Sequence, residues 1–139
     1  MRQCSQRLYL LKLLRKQGLA PKQLGIVFQA LIISRLQYAI SAWGGFVHSD
    51  WRRKIDAFLL RAYRSGLCTN LTFDSLLFAA DQALFASICN NTHCLHHILP
   101  ALKSHHYELR TRGHELRLPE YKTLLYKKSF LPRHLFQTV

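Results

Sequence analysis

Pro21–Gly45 reads PKQLGIVFQALIISRLQYAISAWGG, and the placing of its apolar residues decides the fold. On a helical wheel Leu24, Val27, Phe28, Leu31, Ile32, Tyr38 and Ala39 share one face, while Ile26, Ile33, Leu36 and Ile40 carry apolar character most of the way round. A helix apolar on nearly every side is one packed by neighbours, so this stretch is expected to be the central helix of an all-α bundle. Pro21 suits the first turn, where a missing N–H costs no hydrogen bond, and Gly44-Gly45 supplies the backbone freedom that ends the helix. Arg35 breaks the pattern by projecting beside Leu24, Phe28 and Leu31. It is expected either to reach a partner beyond this chain or to pair with a local carbonyl or acid.

Working outward, residues 5–17 form a first helix with Leu10, Leu11, Leu13 and Leu14 as its apolar stripe and Lys12, Arg15 and Lys16 on the other side. Gly18 closes it, and the joint to Pro21 is so short that the two helices pack antiparallel or cross steeply. After Gly45, Ser49 or Asp50 caps a third helix that runs to about Arg64, before Gly66. Trp51, Ile55, Phe58, Leu59 and Ala62 line its apolar face, with Arg53, Lys54, Arg61 and Arg64 opposite. The front half, residues 1–69, is thus a three-helix bundle that presents cations.

Residues 67–73 are a connector, and 70–139 form a helical extension. Its periodicity runs through Leu76, Leu77, Ala80, Leu84 and Ile88, with Asp81 a mid-segment cap if the helix is broken in two. A short helix over 92–98, capped by Thr92, stops before Pro100. Beyond it, residues 101–139 carry eight Lys and Arg, four His, two prolines and the aromatics Tyr107, Tyr121, Tyr126, Phe130 and Phe136. This reads as an irregular tail, either packed over the helices through its aromatics or without fixed structure.

The chain of 139 residues holds 20 Lys and Arg against 7 Asp and Glu, a formal net charge of +13. No acidic residue precedes Asp50 while seven basic ones do, so nothing nearby neutralises the first helices. Such a balance seeks polyanions: nucleic acid first, an acidic membrane surface or protein second. A solvated basic surface with no ligand is the bland alternative. Cysteines at 4, 68, 89 and 94 make no disulfide framework, and no secretory signal stands out, which suits an intracellular, nuclear or cytoplasmic setting. No uncharged apolar run approaches the ~20 residues of a transmembrane segment.

Cys89, His93, Cys94, His96 and His97 bring together the ligand types zinc prefers, but their spacing splits them over two helical faces and no second ligand pair follows. Phe78-Ala79-Ala80-Asp81 has the outline of the aromatic-Ala-Asp-Asp signature at which polymerases hold metal ions, without its second Asp and within a helical pattern. No nucleophilic triad, phosphate loop or carboxylate pair stands out, so no catalytic residue, metal or cofactor is expected.

The series RLYLLKLLRKQGL, LQYAISAWGG, IDAFLLRAYRSGLC, LFAADQALFASI, HCLHHILP, YELRTRGHELRLP and SFLPRHLF, in that order, resembles the C-terminal part of reverse transcriptases of non-LTR (LINE-type, jockey-like) retrotransposons. The resemblance implies a thumb over residues 5–66, which grips the template-primer duplex, and a post-thumb extension over 70–139. It also implies a fingers and palm region upstream, bearing the paired metal-binding aspartates and missing from this chain, whose own polymerase chemistry would then be absent. On this reading Lys12, Arg15, Lys16, Arg53, Lys54, Arg61 and Arg64 contact the phosphates of an RNA, DNA or hybrid duplex. A small basic interaction protein and a transposon remnant without function are the alternatives.

Overall fold

The computed structural model describes residues 2–103 and 114–138. Tyr107, and with it the first part of the YELRTRGHELRLP segment, lies outside the described residues. Those described are all-α; the one β pairing among them is an isolated antiparallel bridge between Leu102 and Leu116. The chain forms two compact units, Met1–Ile40 with Val47–Leu77, and Ser41–Phe46 with Phe78–Val139. The division falls later than the expected 69/70, within a helix, and assigns Ser41–Phe46 to the second unit.

In the first unit, helix α1 (Arg2–Lys16) and helix α2 (Pro21–Phe28) flank a joint closed as the sequence suggests. Gly18 takes φ +94, its N–H bonds to the Arg15 carbonyl, and the Leu19 N–H reaches the Leu14 carbonyl. Only glycine holds that left-handed position without Cβ strain. The pair is antiparallel, since Arg7 donates to the Leu31 carbonyl at 2.7 Å and Arg35 donates to the Gln3 side-chain oxygen at 3.2 Å. The expected stripe on α1 is corrected: Leu8 and Leu11 are buried, whereas Leu10, Leu13 and Leu14 are exposed.

The expected uninterrupted helix over Pro21–Gly45 is also corrected, and its exposure is one-sided. After α2 comes a π-turn at Gln29–Ile33, closed by the Ser34 N–H on the Gln29 carbonyl, and then the short α3 (Ser34–Gln37). A π-turn adds a residue to one turn and so rotates everything after it around the axis. Buried positions therefore step from Leu24 and Phe28 to Ile32 and Ile33, while Leu31 and Arg35, which a uniform wheel puts with them, face outward. Ile26 is likewise 63% exposed. The helix stops before the glycines, because Ala39 adopts φ +49 and breaks it; α4 (Ile40–Trp43) and a 3₁₀ turn at Gly44–Phe46 follow.

Helix α5 (Ser49–Arg64) has Ile55, Phe58, Leu59 and Ala62 buried as the sequence suggests, but Trp51, expected on the same packed face, lies in the first turn and is exposed. Its N-cap is His48 rather than Ser49 or Asp50: the imidazole accepts from the Asp50 N–H. At its other end Gly66 takes φ +67, the Gly66 N–H bonds to the Tyr63 carbonyl and the Leu67 N–H to the Ala62 carbonyl. Buried Leu67 over Ala62 completes this Schellman closure. Asp56 on α5 then accepts from the Phe73 N–H at 2.7 Å, which fixes the start of α6 (Phe73–Ile88).

The second unit is built on the later part of α6 and two helices in the expected irregular tail, α7 (Leu124–Lys127) and α8 (Phe130–Gln137), which correct that expectation. Thr123 caps α7 by accepting from the Tyr126 N–H. Pro132 does not break α8, because it lies in the first turn, where its missing N–H has no helical partner to lose. Its neighbours Arg133, His134 and Leu135 are buried. Within the tail itself Tyr121 meets Phe136 of α8 edge-on at 5.5 Å. The helix expected over 92–98 shortens to a 3₁₀ turn at His96–Ile98.

Candidate nucleic-acid interface

All seven cations singled out in the sequence are exposed and lie in the first unit. This unit carries twelve Lys and Arg against three Asp, a surplus of nine. Helices α1 and α5 run side by side in the same direction and bring four of the seven together in two pairs. Lys12 and Arg61 border one hollow of about 150 Å³ with Ser5, Leu8 and Tyr9. Three residues further along both helices, Arg15 and Arg64 border a second, of about 490 Å³, with Pro21, Leu24 and Tyr63. Lys16 ends α1 on the same side.

The seven differ in how free their charge is. Arg15 donates to the Ser65 carbonyl, so it also closes the C-terminal end of α5, where a cation complements the helix dipole. Arg61 donates through Nε to the Ala57 carbonyl at 3.3 Å, which holds the guanidinium along the helix with its other donors outward. Lys54 lies over the Trp51 ring at 4.6 Å, an arrangement that leaves its charge intact. Arg53 is paired with Asp50 one turn earlier on α5, so an acid competes for that cation. Among the described residues no acid lies within salt-bridge distance of Lys12, Arg15, Lys16, Lys54, Arg61 or Arg64. Along α5, Arg53, Arg61 and Arg64 span about 16 Å of axis, long enough to meet several phosphates of a duplex.

The remaining polar clusters are occupied locally. His96 and His97 meet the carbonyls of Ile88 and Cys94 through Nδ1, and the His93 Nδ1 accepts from the Leu95 N–H. No group of three or more His, Cys, Asp or Glu positioned for a metal ion exists among the described residues. A cleft of about 780 Å³ in the second unit is lined by Phe85, Cys89, His96, His97 and His114, with the His114 imidazole bonded to the Leu135 carbonyl and the Leu116 N–H. Burial pushes the Cys68 thiol up, so it stays protonated at neutral pH.

Asp81 caps nothing. It is fully buried and salt-bridged to Arg133, which also donates to the Lys128 carbonyl at 2.6 Å and the Ser41 carbonyl at 2.9 Å. A Cβ on Gly45 would overlap Arg133 and the Lys128 carbonyl, so glycine is needed there for room. Next to this pair His134 packs on Phe85 at 4.5 Å between ring centroids, with its Nδ1 unpartnered. Sequence reasoning missed this centre because its members are far apart in the chain and two of them sit in the stretch read as irregular.

No single helix among the described residues is long and apolar enough to cross a membrane. No protein-family model, no curated protein and no solved structure matches the chain.

Proposed function

We propose that this chain is a sequence-tolerant nucleic-acid grip, the thumb and post-thumb part of a non-LTR retrotransposon reverse transcriptase. The observation that carries the reading is the row formed by Lys12, Arg15, Lys16, Arg61 and Arg64 on two adjacent helices without an acid in reach. Cations on rigid helices hold phosphates and leave base edges unread, which is what a polymerase needs to slide along its product. The ordered series of resembling segments supports the same origin. On this reading the chain performs no chemistry alone, and the paired metal-binding aspartates belong to a palm outside it, in an intracellular polymerase.

The test is binding of a fluorescent RNA–DNA hybrid at several salt concentrations. Five unneutralised cations give a slope of about −4.5 for log K against log salt. Unrelated hybrid sequences should bind within a few-fold of one another. A flat salt response, or no binding at low salt, would overturn the proposal.

A further inference from the structure

The two hollows between α1 and α5 differ in more than size. The one at Lys12 and Arg61, of about 150 Å³, is smaller than a small-molecule site, whereas the one at Arg15 and Arg64, of about 490 Å³, falls within that range. The walls of the larger are of two kinds. Arg15 and Arg64 supply charge, with no acid within salt-bridge distance of either among the described residues, while Pro21, the Tyr63 ring and fully buried Leu24 supply apolar surface. Both kinds are held in place. Arg15 is fixed by its hydrogen bond to the Ser65 carbonyl and lies beside Gly66, and the Tyr63 carbonyl accepts from the Gly66 N–H at the closed end of α5. The Tyr63 ring itself remains 45% exposed.

A paired duplex would use only half of this hollow. Its phosphates can meet the two guanidinia, but its base faces are stacked inside the helix, so the Tyr63 ring and its apolar neighbours would be left bare. A ligand that fills both halves carries an anion next to a flat apolar face. A nucleotide has that form once its base is unpaired. On the reading of the cation row as a phosphate grip, we infer that the hollow between Arg15 and Arg64 takes one unpaired nucleotide at the end of a bound duplex, with its base on the Tyr63 ring and its phosphate at the two arginines. Lys12 and Arg61, one turn back along both helices, then hold the paired backbone, and the larger hollow marks where pairing stops. Stacking on an aromatic face tolerates any base, so the hollow adds a preference for structure and none for sequence.

RNA–DNA hybrids with a blunt end, a short overhang, or an abasic overhang of the same length separate the base from its phosphate. The intact overhang, on one strand or the other, should bind the purified chain at least about fivefold more tightly than its abasic counterpart. Tyr63→Phe should keep that gain, since stacking does not need the hydroxyl. Tyr63→Leu should lose it, while its melting temperature and its affinity for the blunt hybrid stay unchanged. A fluorescent adenine analogue placed in the overhang should be quenched on binding to the chain and not on binding to Tyr63→Leu. Equal affinity for intact and abasic overhangs on both strands, or a gain that survives Tyr63→Leu, would overturn the inference and leave the phosphate row standing. Failure of every hybrid to bind at low salt would overturn both.

Discussion

Arg133 closes on Asp81 as a fork, its Nε on one carboxylate oxygen and its Nη2 on the other, both at 2.9 Å, across 52 residues of chain. The carboxylate is fully buried and the guanidinium nearly so, and two of the three remaining Arg133 donors go to the backbone carbonyls of Lys128 and Ser41. Such a pair contributes little net stability, since desolvating both charges offsets their attraction, but breaking it strands a buried charge.

Asp81→Ala should therefore cost about 3–5 kcal/mol in the second unit. Replacing both residues, as D81L/R133M, should recover most of that loss. Trp43 belongs to the second unit and Trp51 to the first, so denaturant titrations of W51F and W43F backgrounds report each unit. A double variant no better than the single one would mean that the pair itself, not the stranded charge, holds the unit.

The neighbouring His134 makes the second unit sensitive to acid. Burial holds its imidazole below the ordinary value; Asp81 opposes that, while His114 and Arg133 reinforce it. The unfolded chain takes up a proton near pH 6.5 that the folded chain accepts only at lower pH. The contribution is thus complete above about 6.5 and is lost as pH falls below it. His134→Phe, which keeps a ring against Phe85, should reduce proton uptake on unfolding just below about pH 6.5. An unchanged pH slope in the W51F background would exclude His134 as the group responsible.

These features show where the sequence was legible. Helix α5 could be read almost residue by residue because one regular period sorts its leucines from its arginines, and Gly18 and Gly66 announced their closures. The central helix misled because a wheel assumes constant pitch. The π-turn at Gln29–Ile33 has no compositional signal, and its slip moves Leu31 and Arg35 from the inner side to the outer. Arg133 was hidden differently: a cation in a proline-bearing stretch reads as solvated until its partner, far away in the chain, is known. The paired cations of α1 and α5 were named from the sequence, but their adjacency came only with packing; the pairing of Arg53 with Asp50, three residues earlier on the same helix, was legible and was passed over.

The break after α3 carries strain that a substitution can relieve. Ala39 sits at φ +49, where a Cβ crowds the following carbonyl at a cost of about 1–2 kcal/mol. Ala39→Gly removes the crowding but adds unfolded-state freedom, so a net gain of up to about 1 kcal/mol is expected. Thermal melts would check this, and a loss of stability would show that Ala39 has packing that outweighs its backbone.

Arg35 has a modest local partner in Gln3, at 3.2 Å on the exposed surface. Exposed polar pairs of this kind contribute little, so Arg35→Leu should change stability by less than about 0.5 kcal/mol. Gln3→Ala should do the same. A strongly stabilised Arg35→Leu chain would instead mean that the arginine is held for a partner beyond this chain.

The pairing of Arg53 with Asp50 separates the proposed phosphate row into strong and weak members. Both side chains are well exposed, so the pair adds little to folding, yet the carboxylate competes with any phosphate that approaches Arg53. Arg61→Gln and Arg64→Gln should each weaken hybrid binding by severalfold and lower the salt slope by about one. Arg53→Gln should do distinctly less. Asp50→Asn should tighten binding, because it frees Arg53 and keeps the capping hydrogen bond from the Asp50 N–H to His48, losing only the 3.5 Å contact of the exposed carboxylate with the same imidazole. Anisotropy titrations of the four variants at two salt concentrations decide it: if Arg53→Gln is as harmful as Arg61→Gln, the duplex displaces Asp50 and the row extends along the whole of α5.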